Sequence, residues 1–467
     1  MHRSYILSGI YGAGLLLMIT AGAGCKKFVQ VPPPETQLET GQIFSGDNEA
    51  TAAMLGLYNR AALVTGSLLN GGVSLYCALS ADECNIVSAA LTVQQFANNA
   101  LSSDNSNVGT LYGSAYNCIY NANTMLENLP ISPNITAGTK RQLMGESFFM
   151  RALVYSYLIE LFGPAPLVVV TSTKTNATLP REPIDTLYRH IAMDLDSAYA
   201  LLDTAYAVQS TTGSLRTRPN RWAAMALLAR VDLYRQQWAA AEAAATAVIA
   251  SGQYILEAST DSVFRTGSRE ALWQLQPVNP VTNTAEAFYF IPADNAQAKP
   301  NFILSSFLMA AFEPGDRRRS SWVANKVVGG ITYSYPAKYK VRGGPPYTEY
   351  NLVLRLAETY LIRAEARAQQ NDLADAVADL NRIRARAGLS AYSNSMTRDN
   401  ILAAILRERR IELMTEWGHR WADLKRTGAA DSILGSEKPG WTPHDALYPI
   451  PAADIQRNHN LVQNAGY

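Results

Sequence analysis

One stretch constrains this chain more than any other. Leu352–Gly388 reads LVLRLAETYLIRAEARAQQNDLADAVADLNRIRARAG. Ala357, Tyr360, Leu361, Ala364 and Ala368 fall at the i, i+3, i+4, i+7 spacing of one buried helix face. Arg355, Glu358, Arg363, Glu365 and Arg367 fill the rest of that surface. Asn371-Asp372 breaks the pattern. Asp372 is placed to act as an N-cap, and Asp375 in the next turn suits the helix dipole. A second stripe follows at Leu373, Ala376, Val377, Leu380 and Ile383, and Gly388 supplies a stop. Two amphipathic helices joined by so short a turn must lie antiparallel and bury their stripes together. The alanines let their backbones approach closely.

The unit occurs twice. Trp222–Ala250 reads WAAMALLARVDLYRQQWAAAEAAATAVIA. Shifted by 135 positions, Ala229 falls on Ala364, Ala239 on Ala374, Ala241 on Ala376, Ala243 on Ala378 and Val248 on Ile383. The turn Gln236-Gln237 falls on Asn371-Asp372. Small residues on both sides of a short polar turn are the tetratricopeptide pattern, so the sequence predicts a mainly α-helical repeat scaffold.

The N-terminus reads as a targeting segment. Ile6–Ile19 has the length of a signal peptide's apolar core and is short for a bilayer span. AGAGC follows, with small residues before Cys25, as in bacterial lipoprotein signals where the cysteine is acylated. Gly22 stands where leucine is usual. The expected layout is a signal over 1–24, a lipidated tether over 25–42 rich in proline, and a folded body over 43–467. Net charge is +1 over 467 residues, which gives no electrostatic case for nucleic acid. Cys77, Cys84 and Cys118 are an odd set; Cys77 and Cys84 pair, or all three are buried small apolar residues.

Between these landmarks, helices are expected over 43–62, 112–129, 145–162, 183–202 and 397–418. Residues 91–110 have a loop composition. The stretch 252–350 is the least helical, with β-like runs at 271–276 and 331–335 and aromatics without a helical period, among them Tyr289, Trp322 and Tyr333.

Several segments resemble one family. LRLAETYLIRAEA, LNRIRARAGL, ERRIELMTEWGHRWADLKRTG and the closing YPIPAADIQRNHNLVQNAGY are similar to the C-terminal third of the SusD/RagB outer-membrane nutrient-binding lipoproteins of Bacteroidetes. GESFFMRALVYSYLIELFGPAPLV, YNCIYNANTMLENL and FVQVPPPETQ after the lipid cysteine match further upstream. The resemblance implies a tetratricopeptide-like scaffold carrying a variable loop-rich insertion. It implies a non-enzymatic surface protein that captures oligosaccharide, or in some members peptide, and delivers it to a SusC-type TonB-dependent transporter. Anchoring would be by lipid alone, in the outer membrane, and no cofactor is implied. Lys26-Lys27 stand where exported relatives often carry acids, and Glu35 is the first acid after Cys25. A helical-repeat scaffold that binds only proteins is the alternative from another class.

The residues carry no catalytic signature. Glu408, Glu412 and Glu416 at i, i+4, i+8 lie along one expected helix face and read as a salt-bridged packing surface, whereas glycoside hydrolysis needs two carboxyls facing across a cleft. The histidines lack metal spacing, and no GxSxG or P-loop pattern occurs. A sugar site needs an aromatic face for pyranose C–H groups and amides for hydroxyls, on loops held by a rigid scaffold. Two segments have that composition. One is Gln94–Asn99, with Phe96, Asn98 and Asn99. The other is Gln276–Tyr289, with Gln276, Asn279, Asn283 and Tyr289. The family's binding surface is built from regions resembling these two. Trp322 and Tyr333 complete the candidate ligand-binding set, while Trp273, in an alternating apolar run, is assigned to the core.

Overall fold

The computed structural model describes residues 40–207 and 216–467. The signal segment, most of the tether and Cys25 lie outside them. Helices of eight residues or more are α1 (Asp47–Leu63), α2 (Val73–Ser80), α3 (Ser106–Asn128), α4 (Ala137–Phe162), α5 (Ile184–Leu201), α6 (Arg221–Tyr234) and α7 (Trp238–Ala250). After the insertion come α8 (Leu356–Gln369), α9 (Leu373–Arg386), α10 (Arg398–Glu412), α11 (His419–Arg426) and α12 (Ala430–Glu437). Helices α3 to α10 pack side by side in chain order, so α7 of the first hairpin lies directly on α8 of the second.

The two hairpins match in backbone detail. Gln236 and Asn371 both adopt the left-handed conformation, at φ 58° and 64°. The next residues, Gln237 and Asp372, take nearly the same angles, φ −86°, ψ 70° and φ −82°, ψ 71°. Each turn closes with the paired bonds of a Schellman motif: the Asp372 amide donates to Arg367 O at 2.9 Å, and the Gln237 amide to Asp232 O at 2.8 Å. Asp372 holds the N-cap position, but its side chain makes no capping hydrogen bond; the turn is shaped by backbone bonds instead. A third Schellman pair closes α9 at Gly388, φ 78°. Glycine adopts this conformation without the Cβ penalty that glutamine bears, whereas asparagine tolerates it. Gln236→Gly is therefore expected to stabilise the fold by about 0.5 kcal/mol in urea unfolding, and Asn371→Gly by less. Loss of stability in both variants would contradict this account of the turn.

Small side chains do the packing. Ala357, Leu361, Ala364, Ala368, Ala376, Leu380 and Ile383 form one buried cluster within the second hairpin. Ala229, Leu233, Ala241 and Ala245 form another with Ile362 and Ala366, which joins the hairpins to each other. Arg367 closes the edge of that contact by pairing with Glu242 at 3.0 Å.

The insertion is held on short two-stranded ladders, all antiparallel. They pair β1 (Cys84–Ile86) with β3 (Phe302–Leu304), β2 (Ala271–Leu275) with β6 (Asn351–Arg355), and β4 (Val323–Val328) with β5 (Ile331–Pro336). Several expectations are corrected. Residues 352–355 belong to β6, not to the hairpin helix, because the segment is buried on both faces and its backbone pairs with β2. Leu91–Ala97 is a helix despite its polar composition, because Phe96 anchors it to the core. The helix expected over 397–418 ends at Glu412, and a turn with Gly418 at φ 71° starts α11.

That break takes Glu416 off the helix face. Glu408, Glu412 and Glu416 are buried, and their partners come from distant chain segments. Arg355 spends all five N–H donors: Nε on Glu416 at 2.8 Å, Nη1 on Glu270 at 2.9 Å and Glu412 at 2.5 Å, Nη2 on the Glu412 carbonyl at 2.6 Å and Glu416 at 2.9 Å. Arg386 reaches Glu270 at 2.7 Å and also Glu412, Arg318 reaches Glu408 at 2.6 Å and Glu412 at 3.0 Å, and Lys338 reaches Glu416. Burial opposes ionisation of Glu412, and the guanidiniums of Arg386, Arg355 and Arg318 outweigh it, holding the carboxyl well below the usual range. This network fastens the insertion to the scaffold. Cys77, Cys84 and Cys118 are free and buried.

Candidate functional site

The ladder of β1 on β3 places Asn85 opposite Ile303. Ser305 then caps a short helix, Ser306–Ala311, accepting from the Leu308 amide at 3.1 Å. In that helix Leu308 points inward and Phe307 is left 48% exposed. On the other side, Leu91–Ala97 ends at exposed Asn98. Asn85, Asn98 and Phe307 line one open cleft of about 500 Å³, with Asp82, Ser305, Glu437, Lys438 and Gly440 completing its walls.

Two of the three charged groups of this cleft, Asp82 and Lys438, are tied to partners behind its walls. Asp82 accepts from Arg420 Nε and Nη2 at 2.7 Å each and from Arg410 Nη2 at 2.7 Å, and its side chain has no exposed area. Burial works to raise the Asp82 carboxyl, and Arg420 and Arg410 overcome it and hold it below the usual range. Burial, with Asp82 close by, pushes the Glu437 carboxyl up. A raised and a lowered carboxyl in one cleft resemble an acid and base pair. Asp82, however, is sealed behind two guanidiniums and meets no solute. Among the described residues no group of three or more His, Cys, Asp or Glu is placed to hold a metal ion. What the cleft offers a ligand is one aromatic face, two amides and the carboxyl of Glu437, whose Oε2 has no hydrogen-bond partner among the described residues.

The sequence-based candidates divide. Asn98 lies on the cleft rim. Asn99 is buried just behind it at φ 49°, its amide donating to Ser80 O at 3.1 Å. Phe96 is corrected from ligand platform to core: it is 0% exposed, stacked on Tyr76 with centroids 4.3 Å apart and edge-on to Tyr448 at 5.3 Å. Trp322 is corrected likewise, with 0% exposure, its indole donating to Thr260 O at 2.9 Å and Lys338 Nζ 4.5 Å from its centroid. Trp273 is in the core, as read from its apolar run.

No residue of Gln276–Tyr289 lines the cleft. Gln276 and Asn283 adjoin an internal space of about 10 Å³, room for a single water, so buried Asn283 is withdrawn as a sugar contact. Asn279 shapes its own loop, its side chain accepting from the Val281 amide at 2.9 Å and its carbonyl from Tyr347 Oη at 2.9 Å. Tyr289 is half-buried against Gly66 and Gly71, where a Cβ would fall 2.8 Å from its hydroxyl and 3.1 Å from its ring. Tyr333 is half-buried on β5 beside Lys299, whose Nζ is 5.8 Å from its centroid. Asn85, Phe307 and Lys438 were not legible as site residues. The one available signal was Phe307 falling off the Leu308 stripe of its short helix.

Fold and cleft together define a helical-repeat scaffold that presents a loop-built cleft. A family model described as starch-binding and associating with the outer membrane matches residues 70–233, and the SusD family model matches residues 313–442. The chain belongs to the SusD/RagB family. It is 23% identical to the SusD-like protein P25 of Formosa agariphila over 97% of this chain and 98% of that one. A SusD superfamily structure from Bacteroides vulgatus superposes with a TM-score of 0.81 at 20% identity, covering 90% of this chain and 99% of that chain. A laminarin-binding SusD-like protein superposes at 0.75 with 24% identity, covering 91% and 100%. Both confirm the mainly α fold.

Proposed function

We propose that the cleft between Asn85, Asn98 and Phe307 binds a glycan chain, and that this protein captures oligosaccharide at the cell surface and hands it to a SusC-type TonB-dependent transporter. In this reading residues 1–24 are the signal, Cys25 carries the lipid, 25–42 form the tether and 43–467 the binding body, with 252–350 its variable part. The observation that carries the reading is Phe307, an exposed ring at a cleft flanked by the amides of Asn85 and Asn98. A pyranose packs its C–H face on such a ring while amides bond its hydroxyls. The enclosure of Asp82 supports binding without turnover. The family's description and the laminarin-binding neighbour support a polysaccharide ligand over peptide.

Titration calorimetry against laminarin- and starch-derived oligosaccharides tests this. Phe307→Ala is expected to weaken binding about tenfold. Its stability should move by no more than about 0.5 kcal/mol, because the ring is exposed. Unchanged affinity in this variant, or peptide retained through purification in place of sugar binding, would reject the assignment.

A further inference from the structure

The exposed amide of Asn98 is only as well placed as the loop behind it. That loop turns through Asn99 in the left-handed conformation and is tied from outside its own neighbourhood by Lys438, just past the end of α12. The Lys438 ammonium donates to Asn99 Oδ1 at 2.9 Å, to Ser80 O at 2.8 Å and to Leu79 O. Three N–H donors meet three acceptors, which is the full capacity of an ammonium group. Two of these acceptors are carbonyls at the end of α2, where a cation also suits the helix dipole. Asn99 Nδ2 donates to the same Ser80 carbonyl, so rim, helix end and lysine form one knot. Gly440, two residues on, faces the Asn98 carbonyl so closely that a Cβ there would lie 3.3 Å from it.

We propose that Lys438 is the positioning residue of the cleft: its ammonium latches the Asn98–Asn99 rim to the end of α2 and so fixes where the rim amide meets ligand. The consequence for glycan affinity rests on the function proposed above. A neutral amine has only two N–H donors, so it leaves one acceptor of the knot unpaired. Burial pushes the Lys438 amine down to about 7, opposed by Asp82 and Glu437. The other charges facing this corner are Arg410 from α10 and Arg420 from α11, both paired to Asp82. The latch therefore weakens as pH rises through neutrality.

The test uses the mature protein with Lys438→Met and Lys438→Arg, at about pH 6 and about pH 8.5, on either side of that titration. Hydrogen exchange is read on the peptide spanning 96–101, every rate being divided by the intrinsic amide exchange rate at that pH, and affinity by electrophoresis through laminarin and soluble-starch gels. The expected result is faster exchange in Lys438→Met at both pH values, and wild-type exchange that quickens at the higher pH. Wild-type affinity should fall severalfold, up to about tenfold, between the two pH values. Lys438→Met should bind weakly at both, and Lys438→Arg, which stays charged, should lose the pH step. Wild-type exchange rates in Lys438→Met at both pH values would overturn the latch. If Lys438→Met does not fold, an undiminished pH step in Lys438→Arg exchange overturns it instead. Failure of wild type to be retarded by either polysaccharide counts against the glycan reading alone, since exchange still decides the latch.

Discussion

Arg355→Met is expected to destabilise the protein by about 3–5 kcal/mol, measured as a shift of the urea midpoint at constant slope. The side chain is fully buried, and its five donors serve Glu270, Glu412 and Glu416. Methionine fills much of the volume and leaves three buried carboxylates short of a cation. Most of the loss comes from those stranded charges, not from the absent arginine. The double variant Arg355→Met with Glu412→Gln should therefore cost clearly less than the two single changes added together. Strict additivity would show that the network does not act as a unit.

Phe96→Ala is expected to cost about 3–5 kcal/mol of stability, the range for a large aromatic removed from a packed core. The ring lies between Tyr76 and Tyr448, so its loss opens a cavity beneath the Leu91–Ala97 helix. The contrast with Phe307→Ala is the informative part. One phenylalanine should move the unfolding midpoint strongly, and the other should move ligand affinity with little change in unfolding. If Phe96→Ala melted like wild type, the packing of that helix would need revision.

The helical scaffold was legible in the sequence because its information is local. Ala364, Ala368 and Ala376 sit within thirteen positions of one another, and their spacing reports a helix face directly. The turn was legible for the same reason, down to the match of Gln236 with Asn371. Glu412 shows where local reading stops. Its i, i+4 neighbours suggested a salt-bridged surface, yet Arg318 is 94 positions away and the set is buried. The site suffered more. An aromatic among amides singles out Phe96 and passes over Phe307, whose neighbours Ser305, Ser306, Leu308 and Met309 carry no amide, and composition does not say which ring the fold covers. Tyr448, which covers Phe96, lies at the far end of the chain. Asn98 was found because it is an amide close to an aromatic in a stretch of loop composition, and Lys438 was missed because two of its three acceptors are backbone carbonyls without a residue signature.

The ladder of β2 on β6 has a consequence for how this architecture diversifies. Its two strands bring the start and finish of the insertion together, with Ala271 beside Arg355. Beneath that stem, α7 rests directly on α8 as if the residues between them were absent. The chain is thus built like a handle with an exchangeable head. Segments above the stem other than those bearing Arg318 and Lys338, which pair with buried carboxylates of the scaffold, can lengthen, shorten or be replaced in evolution, or by grafting in the laboratory, without altering the stacking of the helices. A new nutrient would then draw changes from both parts, because Phe307 stands on the head while Asn85, Asn98 and Lys438 stand on the handle.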